Sequence, residues 1–452
     1  MSFLTAILAG LLLTISPRPS DTLAEVKATG ELRVLTRPSL TTYYEGPTGP
    51  TGFEYDLVRG FAESLNVRLR MVTAPTPDAV LKALQRGDAH LAAAGVKATP
   101  ENRKKARFGP IYQTIREQLV YRRGNTAPRT LEDVSGKRVR VAARTSHAAT
   151  LLSLHADHPQ LRWQEDTGIV TSELLNEVWQ QATDYTVVDS HEMAVSQSSY
   201  PELQVAFNLG EARYLAWAFP LQADTSLYLA ALRYLNHIRN NGQLEQLLER
   251  YYGHVEDFDY VGTRRFLAHV RQRLPKYRQA FQAAAERHSL DWRLLAAIGY
   301  QESHWNPKAI SPTGVRGIMM LTRDTADQLG VKNRLNAKQS IAGAARYFST
   351  LKSKISEDVA EPDRTWFAVA AYNVGLGHLE DARLLAKQAD TNPNRWLDVK
   401  KYLPLLSEPE WHEKTLYGYA RGSEPVNHVQ NVRRYYDLLL RDDARDRVLA
   451  AQ

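Results

Sequence analysis

The sequence predicts a two-lobed α/β domain followed by an all-helical domain. Three observations carry that division. From Glu31 to about Gly253, strand-like and helix-like segments alternate. Beyond Val261 the periodicity is helical almost throughout. At 452 residues the chain also exceeds what one hydrophobic core ordinarily holds, so two or three domains are expected. The expected organisation is an export signal or short hydrophobic anchor over residues 1–22, a bilobal domain over 28–260 and a helical domain over 265–445.

The elements follow in order. Phe3 to Ile15, "FLTAILAGLLLTI", is a thirteen-residue apolar run ahead of a Ser/Pro-rich patch. It is too short for a comfortable bilayer span and fits the central part of an export signal, although no Lys or Arg precedes it. "ELRVLTR", "VRLRMVT" and "AHLAAAGV" read as strands, with amphipathic helices "FEYDLVRGFAESLN" and "TPDAVLKALQRGD" between them. Short-turn alternation of this kind implies largely parallel pairing. A second alternating unit, from "KRVRVAA" to "DYTVVDS", follows a turn-rich stretch and gives a second lobe. "YLAALRYLNHIRNNGQLEQLLERYYG" is strongly helical and closes this half. The helical half then runs from "RFLAHVRQRLPKYRQAFQAAAERHS" to "EPVNHVQNVRRYYDLLL".

Composition sets outer limits. Apolar residues at 43% and charged residues at 24% are those of a folded protein rather than a disordered one. The net charge of +7 suits an anionic partner, but no uninterrupted basic block marks a nucleic-acid footprint. The chain has no cysteine, which excludes disulfides, thiolate nucleophiles, cysteine metal sites and a lipid anchor on a processed cysteine.

One stretch concentrates chemistry. In "SLDWRLLAAIGYQESHW", Ser289 or Asp291 caps a helix on which Leu295, Ile298 and Glu302 share a face. Glu302 therefore sits beside the buried face near the helix C-terminus. Lost hydration and the negative end of the helix dipole both push its pKa up, as a general acid requires. Asn306-Pro307 stops the helix, and Pro312, Gly314 and Gly317 permit tight turns beyond it. Periodicity alone leaves open a glutamate that merely ends a helix.

Three ordered motifs extend this reading. "ESHWNPKAISPTGVRG", "AVAAYNVG" and "EPVNHVQNVRRYY" resemble the signatures of lytic transglycosylases related to goose-type lysozyme, over about 140 residues. The resemblance implies Glu302 at the catalytic position, with Ser311, Met320, Tyr372, Asn373 and His428 as substrate-binding or neighbouring residues. Two of these depart from the family pattern. Met320 replaces the glutamine of Gly-Leu-Met-Gln, so an amide contact to an N-acetyl group is absent or replaced. His428 replaces a tyrosine that points toward the acid. The implied reaction needs one carboxylate where ordinary glycosidases need two. It cleaves the N-acetylmuramic acid–N-acetylglucosamine bond of peptidoglycan, consumes no water and leaves 1,6-anhydro ends. Asp291, Glu380 and Asp381 are weighed as second carboxylates and read better as caps and solvated surface.

The α/β half resembles solute-binding domains that recognise amino acids, through "LRVLTR", "TGPTGFEYDLVRGFAESLNVRLRMV", "ATPENRKKARFGPIYQT" and "LEDVSGKRVRVAARTSHAATL". The resemblance implies a ligand site drawn from Glu54, Asp56, Arg144, Thr145, Ser146 and Asp189. The ligand that the resemblance suggests is an amino acid or a muropeptide stem, and a sensor or a mere placement module are the other roles open to such a domain. No cofactor and no metal are expected. "HEMAV" at His191 lacks the second histidine of a zinc protease helix, and "GLGHLE" lacks the third glycine of a dinucleotide loop. The apolar N-terminal run supports export, and the resemblance implies glycan strands as partner and peripheral attachment to a Gram-negative outer membrane from the periplasm; nucleic acid is not expected. A hydrolytic muramidase and a non-catalytic wall-binding receptor or scaffold are the alternatives.

Overall fold

The structure is a computed structural model that describes residues 21–46, 49–197, 199–253, 260–311 and 314–450. The apolar run at Phe3 to Ile15 lies outside them. Among the described residues, no helix is long and apolar enough to cross a membrane.

Among the described residues the α/β half carries ten strands: β1 (Glu31–Thr36), β2 (Tyr44–Gly46), β3 (Gly49–Thr51), β4 (Arg68–Thr73), β5 (Leu91–Ala92), β6 (Arg107–Arg122), β7 (Val139–Ala142), β8 (Gln164–Asp166), β9 (Tyr185–Asp189) and β10 (Leu203–Phe219). Eight of them form one sheet in the order β4-β1-β5-β10-β6-β9-β7-β8, and β2 and β3 make a separate hairpin. Pairing is parallel at the two flanks, β4-β1-β5 and β9-β7-β8. The centre is antiparallel: β10 pairs with β5 and β6, and β6 with β9. The expectation of largely parallel pairing therefore holds for the flanks alone. The long strands β6 and β10 carry the chain out to the second lobe and back. Their alternation is masked in the sequence by charges on the solvated side and by register shifts along the pair.

Each lobe has its own core. Phe53, Leu57, Phe61 and Trp217 anchor the first, and Val139, Val141, Leu151 and Val187 the second. The closing helical stretch is two helices, Ser226–Asn240 and Gln243–Tyr252. Gly242 separates them in the left-handed conformation that glycine adopts without strain.

The helical half is built around the Trp292–Ser303 helix. It packs on the long Ser423–Ala450 helix, which the Asp363–Val374 helix also meets. Leu295, Ala297, Ile298, Phe348, Phe367, Val429 and Val432 lie in one apolar core. Gly299 is needed for that approach, because a Cβ there would lie 2.8 Å from the Met319 sulfur and 3.1 Å from the Phe281 ring.

The two halves meet through ion pairs and backbone acceptors. Glu249, in the last helix of the α/β half, accepts from Arg433 and Lys400, each at 3.0 Å. Arg433 is buried and also donates to the Glu249 and Arg250 carbonyls. Arg395 caps the end of the Ser226–Asn240 segment by donating to the Asn241 and Gly242 carbonyls, at 3.2 and 3.0 Å.

Candidate active site and interlobe cleft

Asp291 is the residue that caps the Glu302 helix; its side chain accepts from the Arg293 N–H. The helix ends at Ser303, ahead of the Asn306-Pro307 break, with His304 in the left-handed conformation at its C-cap. Ser303 Oγ then donates to the Ile318 carbonyl at 2.8 Å, tying the helix end to the turn that follows. In that turn Gly317 has φ +89°, and a Cβ there would lie 1.9 Å from the Arg334 carbonyl oxygen. Only glycine fits. Met320, three residues on, has φ +47°, uncommon for an unbranched side chain and typical of strained site loops.

Glu302 is one-sixth exposed, and burial pushes its carboxyl up to about 8. Lost hydration, one of the two effects expected from the sequence, is the cause of this rise. His428 Nε2 lies 3.8 Å from Glu302 Oε1, and burial pushes the imidazole down to about 4. That nitrogen is buried and has no hydrogen-bond partner among the described residues. Tyr372, close enough to feel the Glu302 charge, is pushed well above the ordinary tyrosine range, mainly by burial. Its hydroxyl donates to the Met319 carbonyl at 2.9 Å, and its ring lies 5.5 Å from that of Tyr347. Glu302, Tyr372 and His428 thus come from three helices to one place. Asn373 is exposed near the end of the Tyr372 helix. Ser311 holds the loop beyond Glu302: its Oγ accepts from the Val315 N–H at 3.1 Å and its carbonyl from Gly314.

The three other carboxylates are engaged elsewhere. Asp291 pairs with Arg293 and accepts from Tyr436, and Glu380 pairs with Arg383. Asp381 is buried rather than solvated. It accepts from the N–H groups of Leu416 and Tyr417, which fixes the loop before "GYARG".

In the α/β half, a cavity of about 660 Å³ lies between the lobes. Arg144, Thr145, Ser146 and Asp189 line it. Thr145 caps the Ser146–His155 helix, and Arg144 has φ +59°. Glu54 and Asp56 lie outside the lining. Glu54 is buried against the Tyr112 hydroxyl and the Gly95 N–H, and burial pushes it up to about 7. Asp56 accepts from Tyr251 and pairs with Arg250, on the closing helix. Both acids, in the first turn of the Phe53–Ser64 helix, tie elements of the first lobe together: Glu54 joins that helix to Tyr112 and Gly95, and Asp56 joins it to the closing helix.

Several cleft residues have no signal in the sequence. Lys97 Nζ lies 2.6 Å from Asp189, 2.8 Å from Glu117 and 3.1 Å from His147. Arg37 pairs with Glu192 across the lobes. Glu117, His147 and Asp189 could hold a metal ion by spacing, but their converging donors surround the Lys97 ammonium. Only the crossing of β6, β9 and the Ser146–His155 helix assembles these positions, so no local pattern announces them.

Residues 279–394 match the Transglycosylase SLT domain family, and residues 32–254 match the bacterial extracellular solute-binding proteins, family 3. A membrane-bound lytic murein transglycosylase F 1 from Alkalilimnicola ehrlichii is 51% identical over 94% of this chain and 86% of its own length. A membrane-bound lytic murein transglycosylase F from Ectopseudomonas mendocina is 48% identical over 94% of this chain and 87% of its own. Among solved structures, a mutant ArgBP from T. maritima is 22% identical, covering 51% of this chain and 99% of that one, with a TM-score of 0.46. With identity near one half along almost the whole chain, and with both family models matched on it, the chain belongs to the membrane-bound lytic murein transglycosylase F family and is a peptidoglycan lytic transglycosylase.

Proposed function

We propose that Glu302 supplies both proton transfers of the transglycosylase reaction. The observation that carries this reading is a carboxyl held up at about 8 by burial alone, and hence protonated at neutral pH. Glu302 gives its proton to the glycosidic oxygen as the C1–O bond breaks. The 2-acetamido carbonyl of the muramic ring closes on C1 from the other face, forming an oxazolinium. The Glu302 carboxylate then takes the proton of the C6 hydroxyl, whose oxygen attacks C1 and opens the oxazolinium. The products are a 1,6-anhydro end and a regenerated acid, with no water consumed. Tyr372 and the Ser311 loop shape the cleft around the muramic ring, and Asn373 offers an amide to its acetamido group. Met320 supplies an apolar contact where an amide is usual, and His428, 3.8 Å from the carboxyl, keeps water away from it without charging it.

The test is mass spectrometry of products from purified peptidoglycan, digested by the wild type and by Glu302→Gln. Anhydro-muropeptides from the wild type alone support the assignment. Reducing ends, one water heavier, move the reading to a hydrolytic muramidase.

The interlobe cavity is read as a binding site for an amino acid or a muropeptide stem, with Arg144, Thr145 and Ser146 at its anion end. The cationic side chain and the helix N-terminus both favour a carboxylate there. Calorimetry of the full-length Glu302→Gln chain with purified muropeptides and free amino acids tests this; no heat with any of them overturns it. Placement is read as export and peripheral attachment to an outer membrane, in keeping with the membrane-bound relatives. Fractionation of the expressed protein, with and without high salt, checks it.

A further inference from the structure

The carboxylates lining the interlobe cavity are Asp78, Glu101, Asp189 and Glu192. Each already has a cation of its own. Asp78 pairs with Lys82 and Lys105, at 2.8 and 3.5 Å, and Glu101 with Lys104 at 3.0 Å. Glu192 pairs with Arg37 and accepts from Thr171 at 3.0 Å. Asp189, buried at the cleft floor, is held by Lys97 at 2.6 Å and His147 at 2.9 Å. Lys97 is buried as well and also reaches Glu117, 2.8 Å, and Ser146 Oγ, 2.6 Å. An ammonium has three protons, so Lys97 is saturated by groups of the protein itself.

The cations are not balanced in the same way. Arg144 lines the cavity at the start of the Ser146–His155 helix and has no carboxylate partner among the described residues. Arg213, on the same wall, makes one hydrogen bond to Thr150 and stands 3.9 Å from Glu117. Among the described residues, the cleft therefore offers positive charge to a ligand and no uncommitted negative charge.

We propose that Lys97 is a built-in substitute for a ligand ammonium, so that the interlobe cleft takes carboxylates whose amine is acylated and excludes free α-amino acids. This rests on the reading of the cleft as a ligand site and makes Lys97 its specificity-determining residue. A free α-ammonium would have either to displace Lys97 from two buried carboxylates or to be buried beside it as a like charge. Both are costly beside carboxylates as buried as Glu117 and Asp189. An amide nitrogen meets neither obstacle. The carboxylates carry the imprint of the internal cation. Burial pushes Glu117 and Asp189 up, yet the charges of Lys97 and His147 hold Glu117 at about 2 and Asp189 below the usual carboxylate range.

The experiment is isothermal titration of the full-length Glu302→Gln chain with L-glutamate and N-acetyl-L-glutamate, and with L-alanine and N-acetyl-L-alanine. The same titrations follow with Lys97→Ala and Lys97→Arg added. The acetylated member of each pair should bind at least about tenfold more tightly while Lys97 is present. Lys97→Ala should gain at least about tenfold for the free amino acids, and Lys97→Arg should keep the original order. A free amino acid that binds as tightly as its acetylated form with Lys97 in place overturns the inference but leaves the cleft a ligand site. Silence toward every compound overturns the ligand reading and the inference with it. If Lys97→Ala melts too early to titrate, the comparison with Lys97 in place decides alone.

Discussion

His428 Nε2 stands 3.8 Å from Glu302 Oε1, and burial drives the two groups to neutrality from opposite directions, the carboxyl up to about 8 and the imidazole down to about 4. Between those values the site holds an acid beside an uncharged imidazole. A charged imidazole would have stabilised carboxylate and lowered the acid's pKa; a neutral one does not. The replacement of a family tyrosine by histidine is thereby reconciled with acid catalysis.

The pH profile of kcat/KM should fall on the alkaline side with a midpoint near 8, as Glu302 loses its proton, and on the acid side near 4, as His428 gains one. Initial rates of anhydro-muropeptide release across this range are the measurement. A flat alkaline side would remove Glu302 from the role of acid.

His428→Ala should open a space beneath the carboxyl that water enters. The Glu302 pKa then relaxes toward its ordinary value, so the alkaline midpoint moves to lower pH and the rate at neutral pH drops about tenfold or more. Replacement of an inert packing residue would lower stability and leave that midpoint in place.

Stability should depend on pH through the same pair. The folded Glu302 binds its proton more tightly than the unfolded chain, so its contribution is full below about 4.5 and is lost as pH rises to about 8. His428 has the opposite sign: its contribution is full above 6.5 and is lost as pH falls to about 4. Glu302→Gln should therefore be more stable than the wild type at pH 8, by about 2–4 kcal/mol, and close to it at pH 4. Urea melts at the two pH values compare them.

Gly317→Ala should cost about 3 kcal/mol or more, since its Cβ would lie 1.9 Å from the Arg334 carbonyl and its φ is left-handed. The calorimetric transition of the helical half should move down while the α/β half keeps its own.

Glu249→Ala should leave Arg433 buried without its carboxylate, at a cost of about 3 kcal/mol. Because Glu249 belongs to the α/β half and Arg433 to the helical half, two separated melting transitions should replace closer ones.

The sequence by itself determined the division into an α/β half and a helical half, because hydrophobic periodicity is local and survives translation into structure. Its spacing from Leu295 and Ile298 placed Glu302 beside a buried helix face without deciding its role, and the resemblance of three ordered motifs to lytic transglycosylases assigned that role. The tertiary structure decided which charges meet. Lys97, Glu117, His147 and Asp189 stand far apart along the chain, and only the crossing of β6, β9 and a helix start brings them within 4.8 Å or closer. Glu54 and Asp56 show the converse. Adjacent to a turn that reads as a ligand site, they face Tyr112 and the closing helix instead. Electrostatic partners are set by distances in space, which periodicity does not encode, so the cleft's chemistry became legible only once the lobes had closed on it.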